Sequence, residues 1–263
     1  MTYNLVIDAD SILYTSCYNA QLADKKSIDV SYTEEVRKAS FNIEKAYLYF
    51  CAKVARIEAM VYSRHREEHI KGNWRGKDII DGLNINIEII FSPKHTFRND
   101  LSDIYKANRK PSAIFGISDL KKLVKERYGA TEVPNLEADD IVITRAYEQD
   151  NVYIACIDKD ITTHSPVDCI NYNEWEWSDY VDAETIENNY YYQALLGDPT
   201  DNIKGAKGIG ERGATALCDN LMEPMTYDIF ISKFTDEEEA ILNMRLVRLD
   251  QYKKGELELW VNQ

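Results

Sequence analysis

Two short apolar runs in this chain each stop at an aspartate. YNLVI, Tyr3 to Ile7, leads into Asp8, and NVYIACI, Asn151 to Ile157, leads into Asp158. Runs this short and this uniformly apolar read as strands buried on both faces. INIEIIF, Ile85 to Phe91, is a third strand, closed by Ser92-Pro93, and CINYN, Cys169 to Asn173, a fourth. Helical patterns lie between them. Val36, Ile43, Tyr47, Phe50, Val54 and Ile57 give residues 33 to 58 one apolar face, with Thr33 as its cap. Asp119 to Tyr128 is a second helix, turning Leu120, Leu123 and Val124 inward and stopping at Gly129. A third starts at LEADD, where acids suit the positive end of a helix. Strands that alternate with helices predict an α/β fold, a mostly parallel twisted sheet with helices on both faces. Ligands bind such sheets beyond the carboxyl ends of the strands, which is where Asp8 and Asp158 fall.

The 263 residues suffice for one α/β domain with an appendage. No run of eighteen apolar residues and no basic-then-apolar leader is present, so we expect neither a membrane span nor export, and a cytoplasmic location. Five cysteines (17, 51, 156, 169, 218) form no C-x-x-C pair and read as free thiols rather than zinc ligands. The histidines show no ligand spacing with them, and His65 and His69 read as solvent-facing.

The acids carry the chemistry. Asp8; Glu137, Asp139 and Asp140; Asp158 and Asp160; Asp198 and Asp201 all end strands, begin helices or sit in the glycine-rich GDPTDNIKGAKGIG. Any one pair reads equally well as caps or surface acids. Four such clusters at the site end of one sheet point to convergence. Converging carboxylates either protonate or bind cations. A donor set made only of oxygen suits Mg²⁺ or Mn²⁺. Two such ions can stabilise the attacking and leaving oxygens of a phosphodiester displacement.

In their order, an early strand-end Asp, a basic segment with YKANR, LEADD, DKD, then GDPTDN before GAKGIG, these motifs resemble the 5′-nuclease superfamily. That family includes flap endonucleases, the 5′-nuclease domain of bacterial DNA polymerase I and phage 5′–3′ exonucleases, and the chain looks most like the small phage enzymes. The resemblance implies a PIN-like nuclease core with a short helical arch and a helix–hairpin–helix, or helix–3-turn–helix, element. It divides the chain into a core at 1–185, with a basic arch at about 94–118, and a DNA-binding region with a C-terminal extension at 186–263. It implies that Asp8, Glu137, Asp139, Asp140, Asp158, Asp160, Asp198 and Asp201 hold two Mg²⁺ ions, with Mn²⁺ able to substitute. Lys106 and Arg109 would face the scissile phosphate as catalytic cations. Tyr14, Arg98, Lys110, Lys204, Lys207, Gly208, Gly210 and Arg212 would contact DNA, with K⁺ at the glycine turn. The partners implied are duplex DNA with 5′ ends or flaps, and RNA–DNA hybrids. The activity implied is metal-dependent 5′–3′ exonuclease or flap cleavage in phage replication, primer removal or recombination, in the host cytoplasm if phage-encoded.

One departure stands out. The family carries another Asp after the second core strand, where this chain has Ser92 and Pro93. Asp10, an extra acid beside Asp8, reads as a helix cap in preference to a minor outer contributor to the metal site. Two other readings stay open: a PIN-type ribonuclease, and a DNA-structure-binding protein whose metal site is impaired at Pro93. With a net charge of −14, the chain must rely on local basic patches to hold DNA, and its binding should be salt-sensitive.

Overall fold

The computed structural model describes residues 2–22, 41–71, 83–109, 114–220 and 224–261, with side chains from 67 to 71 set aside. Its centre is a five-stranded sheet of order β2-β1-β3-β4-β5, formed by β1 (Thr2–Asp8), β2 (Asn84–Ile90), β3 (Val152–Cys156), β4 (Cys169–Asn171) and β5 (Glu176–Ser178). The first four strands are parallel, and β5 pairs antiparallel with β4. Because side chains alternate along a strand, β1 divides itself between two cores. Leu5 and Ile7 join a cluster with α1 (Asp10–Leu22), α2 (Ile43–Lys71) and α4 (Ile117–Tyr128) on one face. Val6 joins Ile141, Val142 and Ile143 of α5 (Ala138–Glu148) on the other. All three β1 residues are fully buried, which is why the strand reads as an unbroken apolar run.

A third cluster lies outside the sheet. It joins α7 (Ala183–Leu196), α8 (Glu211–Cys218), α9 (Tyr227–Ile231) and α10 (Glu237–Val247) through Tyr190, Leu195, Ala214, Phe230 and Met244. The short α6 (Lys159–His164) follows β3. Residues 249–257 return to the core: Leu249 packs in the α5 cluster, and Thr144 Oγ1 donates to the Tyr252 carbonyl at 2.9 Å.

Several sequence expectations shift. The helix expected at 33–58 is described from Ile43 and runs on to Lys71, and Thr33 lies outside the described residues. The stretch expected as a basic arch from about 94 begins with α3 (Phe97–Leu101), whose first turn is closed by a capping box between Thr96 and Asn99. Phe97 and Tyr105 are each 5% exposed, so these residues belong to the body of the fold. The C-terminal ELELWV, whose period-two pattern predicts an edge strand, contributes only β7 (Glu256–Leu257), in a hairpin with β6 (Tyr252–Lys253). His65 is buried rather than solvent-facing: its ring lies 4.1 Å from that of Tyr3 and within 3.3 Å of the Tyr153 hydroxyl. The five cysteines are free thiols. Among the described residues no helix is long and apolar enough to cross a membrane.

Candidate active site

The carboxyl ends of β1 and β3 and the start of α5 open onto one cleft of about 620 Å³. Asp8 arrives on the last residue of β1. Glu137 and Asp139 arrive at the amino end of α5, where Glu137 is the N-cap. Asp158 caps α6, its carboxylate accepting from the Asp160 amide at 2.9 Å. Lys106, Arg109, Asp10 and Lys159 complete the polar wall.

Charge is distributed unevenly in this cleft. Glu137 accepts from Lys106 Nζ at 2.6 Å and from the Tyr105 hydroxyl at 3.0 Å. Burial works to raise its pKa, but Arg98 and Lys106 outweigh burial and hold it below the ordinary value. Asp139 has less help: among the described residues it makes no hydrogen bond and no ion pair, and the charge of Lys106 only partly offsets its neighbours. Burial, then the charges of Asp8, Glu137 and Asp158, push it well above the carboxylate range. Asp8 is raised to about 7, first by burial and then by Asp10. Its carboxylate accepts one long bond, from the Asp10 amide at 3.3 Å. A buried carboxylate beside a half-buried one, neither with an ion-pair partner, is costly as a pair of anions and favours a cation.

The remaining acids stand elsewhere. Asp160 and Asp198 line a neighbouring cleft of about 530 Å³ that shares Lys159 with the first. Burial and Asp158 raise Asp160 to about 6, and Gln193 donates to it at 2.7 Å. Asp201 bridges to Arg109 at 2.5 Å and lies 3.6 Å from Lys106. With Glu137 drawn to Lys106 and Asp201 to Arg109, no three Asp, Glu, His or Cys side chains among the described residues are gathered closely enough to grip an ion as they stand. The fit to a divalent cation is therefore one of donor chemistry: oxygen ligands, net negative, two of them unpaired.

Two sequence assignments need correction. Asp140 is 1% exposed and turned away from the cleft. Both of its oxygens accept from Arg98, at 2.7 and 2.8 Å, and one also accepts from the Glu137 amide at 2.9 Å. It is the ion-pair partner of Arg98 and does not line the cleft. Arg98, assigned to DNA, is also 1% exposed, and donates to the Leu246 and Arg248 carbonyls as well. It fastens α3 and α5 to the last turn of α10 and the residue that follows it, and is too buried to meet a phosphate.

The other assigned residues lie on the surface. Tyr14 is 46% exposed on α1. Lys204, Lys207 and Arg212 are exposed and make no ion pair among the described residues. Gly208 has φ +79°, and side-chain atoms added at Gly208 or Gly210 would meet open space, so the backbone there is approachable from outside. Lys110 lies outside the described residues. Sequence reasoning missed Tyr105, whose hydroxyl links Glu137 to Asp201 at 3.0 and 3.4 Å. The signal was its place directly before Lys106 in YKANR.

Comparison with known proteins fits this geometry. No family model matches the chain. The chain is 33% identical over 147 residues to the thermostable DNA polymerase I of Thermus thermophilus, covering 49% of this chain and 17% of the polymerase. It is 30% identical over 161 residues to a 5′-3′ exonuclease of Mycoplasmopsis pulmonis, covering 54% of each. To a 5′-3′ exonuclease of Buchnera aphidicola it is 28% identical over 179 residues, 62% of this chain and 58% of the relative. The chain thus spans little more than half the length of these exonucleases and a small part of the polymerase. A structure of the bacteriophage T5 5′-exonuclease with bound zinc superposes on 96% of this chain and 91% of its own, with a TM-score of 0.55 at 17% identity. A structure of the T5 flap endonuclease in complex with DNA and metal ions gives 0.54 at 16% identity, over 96% and 90%. The chain therefore resembles the 5′-nuclease superfamily in sequence over about half of its length, and shares the T5 exonuclease fold over nearly all of it.

Proposed function

We propose that the chain is a divalent-metal-dependent 5′–3′ nuclease acting on duplex DNA at 5′ ends or flaps. The observation that supports this reading is a pair of carboxylates without an ion-pair partner, the buried Asp8 at the end of β1 and the half-buried Asp139 in the first turn of α5, facing one cleft of a fold shared with a 5′-exonuclease. Asp8, Glu137, Asp139 and Asp158 would hold one Mg²⁺ ion. Asp160, Asp198 and Asp201 would serve a second, with Mn²⁺ able to replace either. When bound, such ions activate water and stabilise the leaving oxygen of the cleaved phosphodiester.

The chain's own residues do the rest. Lys106 and Arg109, now paired with Glu137 and Asp201, stand at the cleft wall and neutralise the charge that builds on the phosphate oxygens. Tyr105 fixes the Glu137 carboxylate by its hydrogen bond. Tyr14, exposed on α1, stacks on the base beside the cut. Lys204, Lys207 and Arg212, with the open backbone at Gly208 and Gly210, hold the duplex backbone without reading sequence, and K⁺ on the turn's carbonyls would support that grip. RNA removal from RNA–DNA hybrids falls within the same chemistry. The chain divides into a core at 1–185 and a DNA-binding region at 186–263. A cytoplasmic location is consistent with DNA as substrate.

The test is cleavage of a 5′-flap and a blunt duplex with Mg²⁺ and with chelator, for the natural sequence and for Asp139→Asn. Metal-dependent products from the 5′ end, absent from the variant, are expected. DNA binding without cleavage under either Mg²⁺ or Mn²⁺ would instead favour a structure-binding protein.

A further inference from the structure

The three adjacent parallel strands β2, β1 and β3 present their carboxyl ends to the cleft. β1 ends in Asp8 and β3 leads to Asp158, but β2 leads into Phe91, Ser92 and Pro93, none of them an acid. A carboxylate is nevertheless found there, supplied by α1. The Ala9 amide donates to the Ile90 carbonyl at 3.1 Å, which brings the first turn of α1 against the end of β2. The Ser92 amide then donates to both oxygens of Asp10, at 3.1 and 3.4 Å. The Ser92 hydroxyl accepts from the Ala138 amide at 2.9 Å, between Glu137 and Asp139. Ser92 is thus a bracket that ties the Asp10 carboxylate to the acidic end of α5.

Asp10 does not cap its helix. The free amides of the first turn are taken by backbone, since Ile12 and Leu13 both donate to the Ala9 carbonyl at 3.1 Å. The amide of Asp10 itself points to Asp8. Among the described residues the Asp10 carboxylate has no ion-pair partner, and it lines the same cleft as Asp8, Glu137, Asp139 and Asp158. A surface acid or a helix cap has no need of this fixation.

We propose that Asp10 is a carboxylate of the divalent-cation centre, contributing the negative charge that β2 itself lacks, directly or through a water held by its free lone pairs. This rests on the reading of the cleft as a cation centre, and adds a residue that the motif pattern leaves out. Pro93 is then no defect of the site, because the acid has moved from one neighbouring segment to another.

The test uses Asp10→Asn in the full chain. The amide oxygen keeps one hydrogen bond from the Ser92 amide and the side-chain shape, while the charge and the second acceptor oxygen are lost. Mn²⁺ binding is titrated without nucleic acid, by calorimetry and by loss of the free-ion electron paramagnetic resonance signal. Asp139→Asn runs alongside, and each protein is melted in chelator. The expected result is Mn²⁺ affinity about 10- to 100-fold weaker in Asp10→Asn, the usual consequence of removing a group that supports a metal, with a metal-free melting temperature no lower than the parent's. If the parent binds Mn²⁺, Asp139→Asn loses it and Asp10→Asn binds as the parent does, this inference is wrong while the cation centre stands. A lower metal-free melting temperature with unchanged Mn²⁺ affinity would make Asp10 a structural acid and would equally overturn it. If the parent binds no Mn²⁺, the cation-centre reading fails first.

Discussion

Asp139 and Asp140 are neighbours in sequence and opposites in role. Read from LEADD alone, both are acids at a helix start, and nothing local separates them. The distinction comes from Arg98, some forty residues earlier, which binds one and not the other. Its own role was equally hidden, because an arginine in a basic, polar stretch looks solvated until its partners are seen. The two acids should therefore respond to neutralisation in opposite ways. Asp140→Asn or Arg98→Met leaves one buried charge unpaired and should cost about 3–5 kcal/mol of stability, measured by urea unfolding. Asp139→Asn removes a half-buried carboxyl group that has no ion-pair partner and should leave the metal-free protein as stable or more so. It should nevertheless abolish metal binding and cleavage, by more than about the 100-fold that a supporting group costs. Loss of activity in Asp140→Asn with full stability would contradict the assignment. Tyr14 is judged on another scale: Tyr14→Ala should weaken binding to a substrate with an unpaired base at the cut by about 1–3 kcal/mol, the worth of one base–aromatic stack.

At the scale of elements, the strands were legible because each is an apolar run with sharp ends. β5 was not, since Glu176, Trp177 and Ser178 carry no such pattern and are ordered by pairing with β4. The loop between α7 and α8 was legible as a glycine turn, but its construction was not. Gly197 and Gly205, with φ of +74° and +68°, lie back to back, and a methyl group on either would run into the backbone of the other segment. That contact closes the bridge between Asp198 and Ile203 and so sets where Asp198 and Asp201 stand. Gly205→Ala should cost about 1–3 kcal/mol from the forced left-handed backbone alone, before the clash is counted. It should also weaken metal-dependent cleavage by displacing Asp201. Gly213, inside α8 with room for a methyl group, is the control: Gly213→Ala should stabilise the fold by about 0.4–1 kcal/mol and leave cleavage intact. Equal effects at the two positions in thermal melts would refute this account of the loop.

For the whole molecule, the cleft acids and the cation they are proposed to hold set the pH response. Asp8 is raised to about 7 and Asp139 is raised well above the carboxylate range, so the metal-free fold holds these protons more tightly than the unfolded chain does. Their contribution to stability is complete below the unfolded pKa, near 4. It declines as pH rises towards 7 and beyond, where the anions repel one another. Divalent ions compete with those protons, so added Mg²⁺ should raise the melting temperature more at pH 8 than at pH 6. A Mg²⁺ effect independent of pH would argue against ion binding at Asp8 and Asp139. Electrostatics also shapes DNA binding. With a net charge of −14, a molecule with the proposed function would have to grip DNA through patches such as Lys204, Lys207 and Arg212. Each replaced by Gln should lower the slope of log affinity against log salt by about 1 if it meets a phosphate. The parallel sheet, the strand-end acids and this basic turn could be read from sequence, because each is written in a contiguous stretch. The division of the acids between two clefts, the buried Arg98–Asp140 pair and the placement of Asp10 at the end of β2 could not, because each depends on segments far apart in the chain.

The most direct test of the central claim is a single-turnover cleavage assay on a 5′-labelled flap duplex, with Mg²⁺, comparing the natural sequence with Asp139→Asn at equal folded concentration. The account predicts products from the 5′ end for the natural sequence, none with chelator, and none for Asp139→Asn even where it still binds the DNA. Cleavage by Asp139→Asn at the natural rate, or cleavage that persists in chelator, would show that the acidic cleft is not the centre of the chemistry.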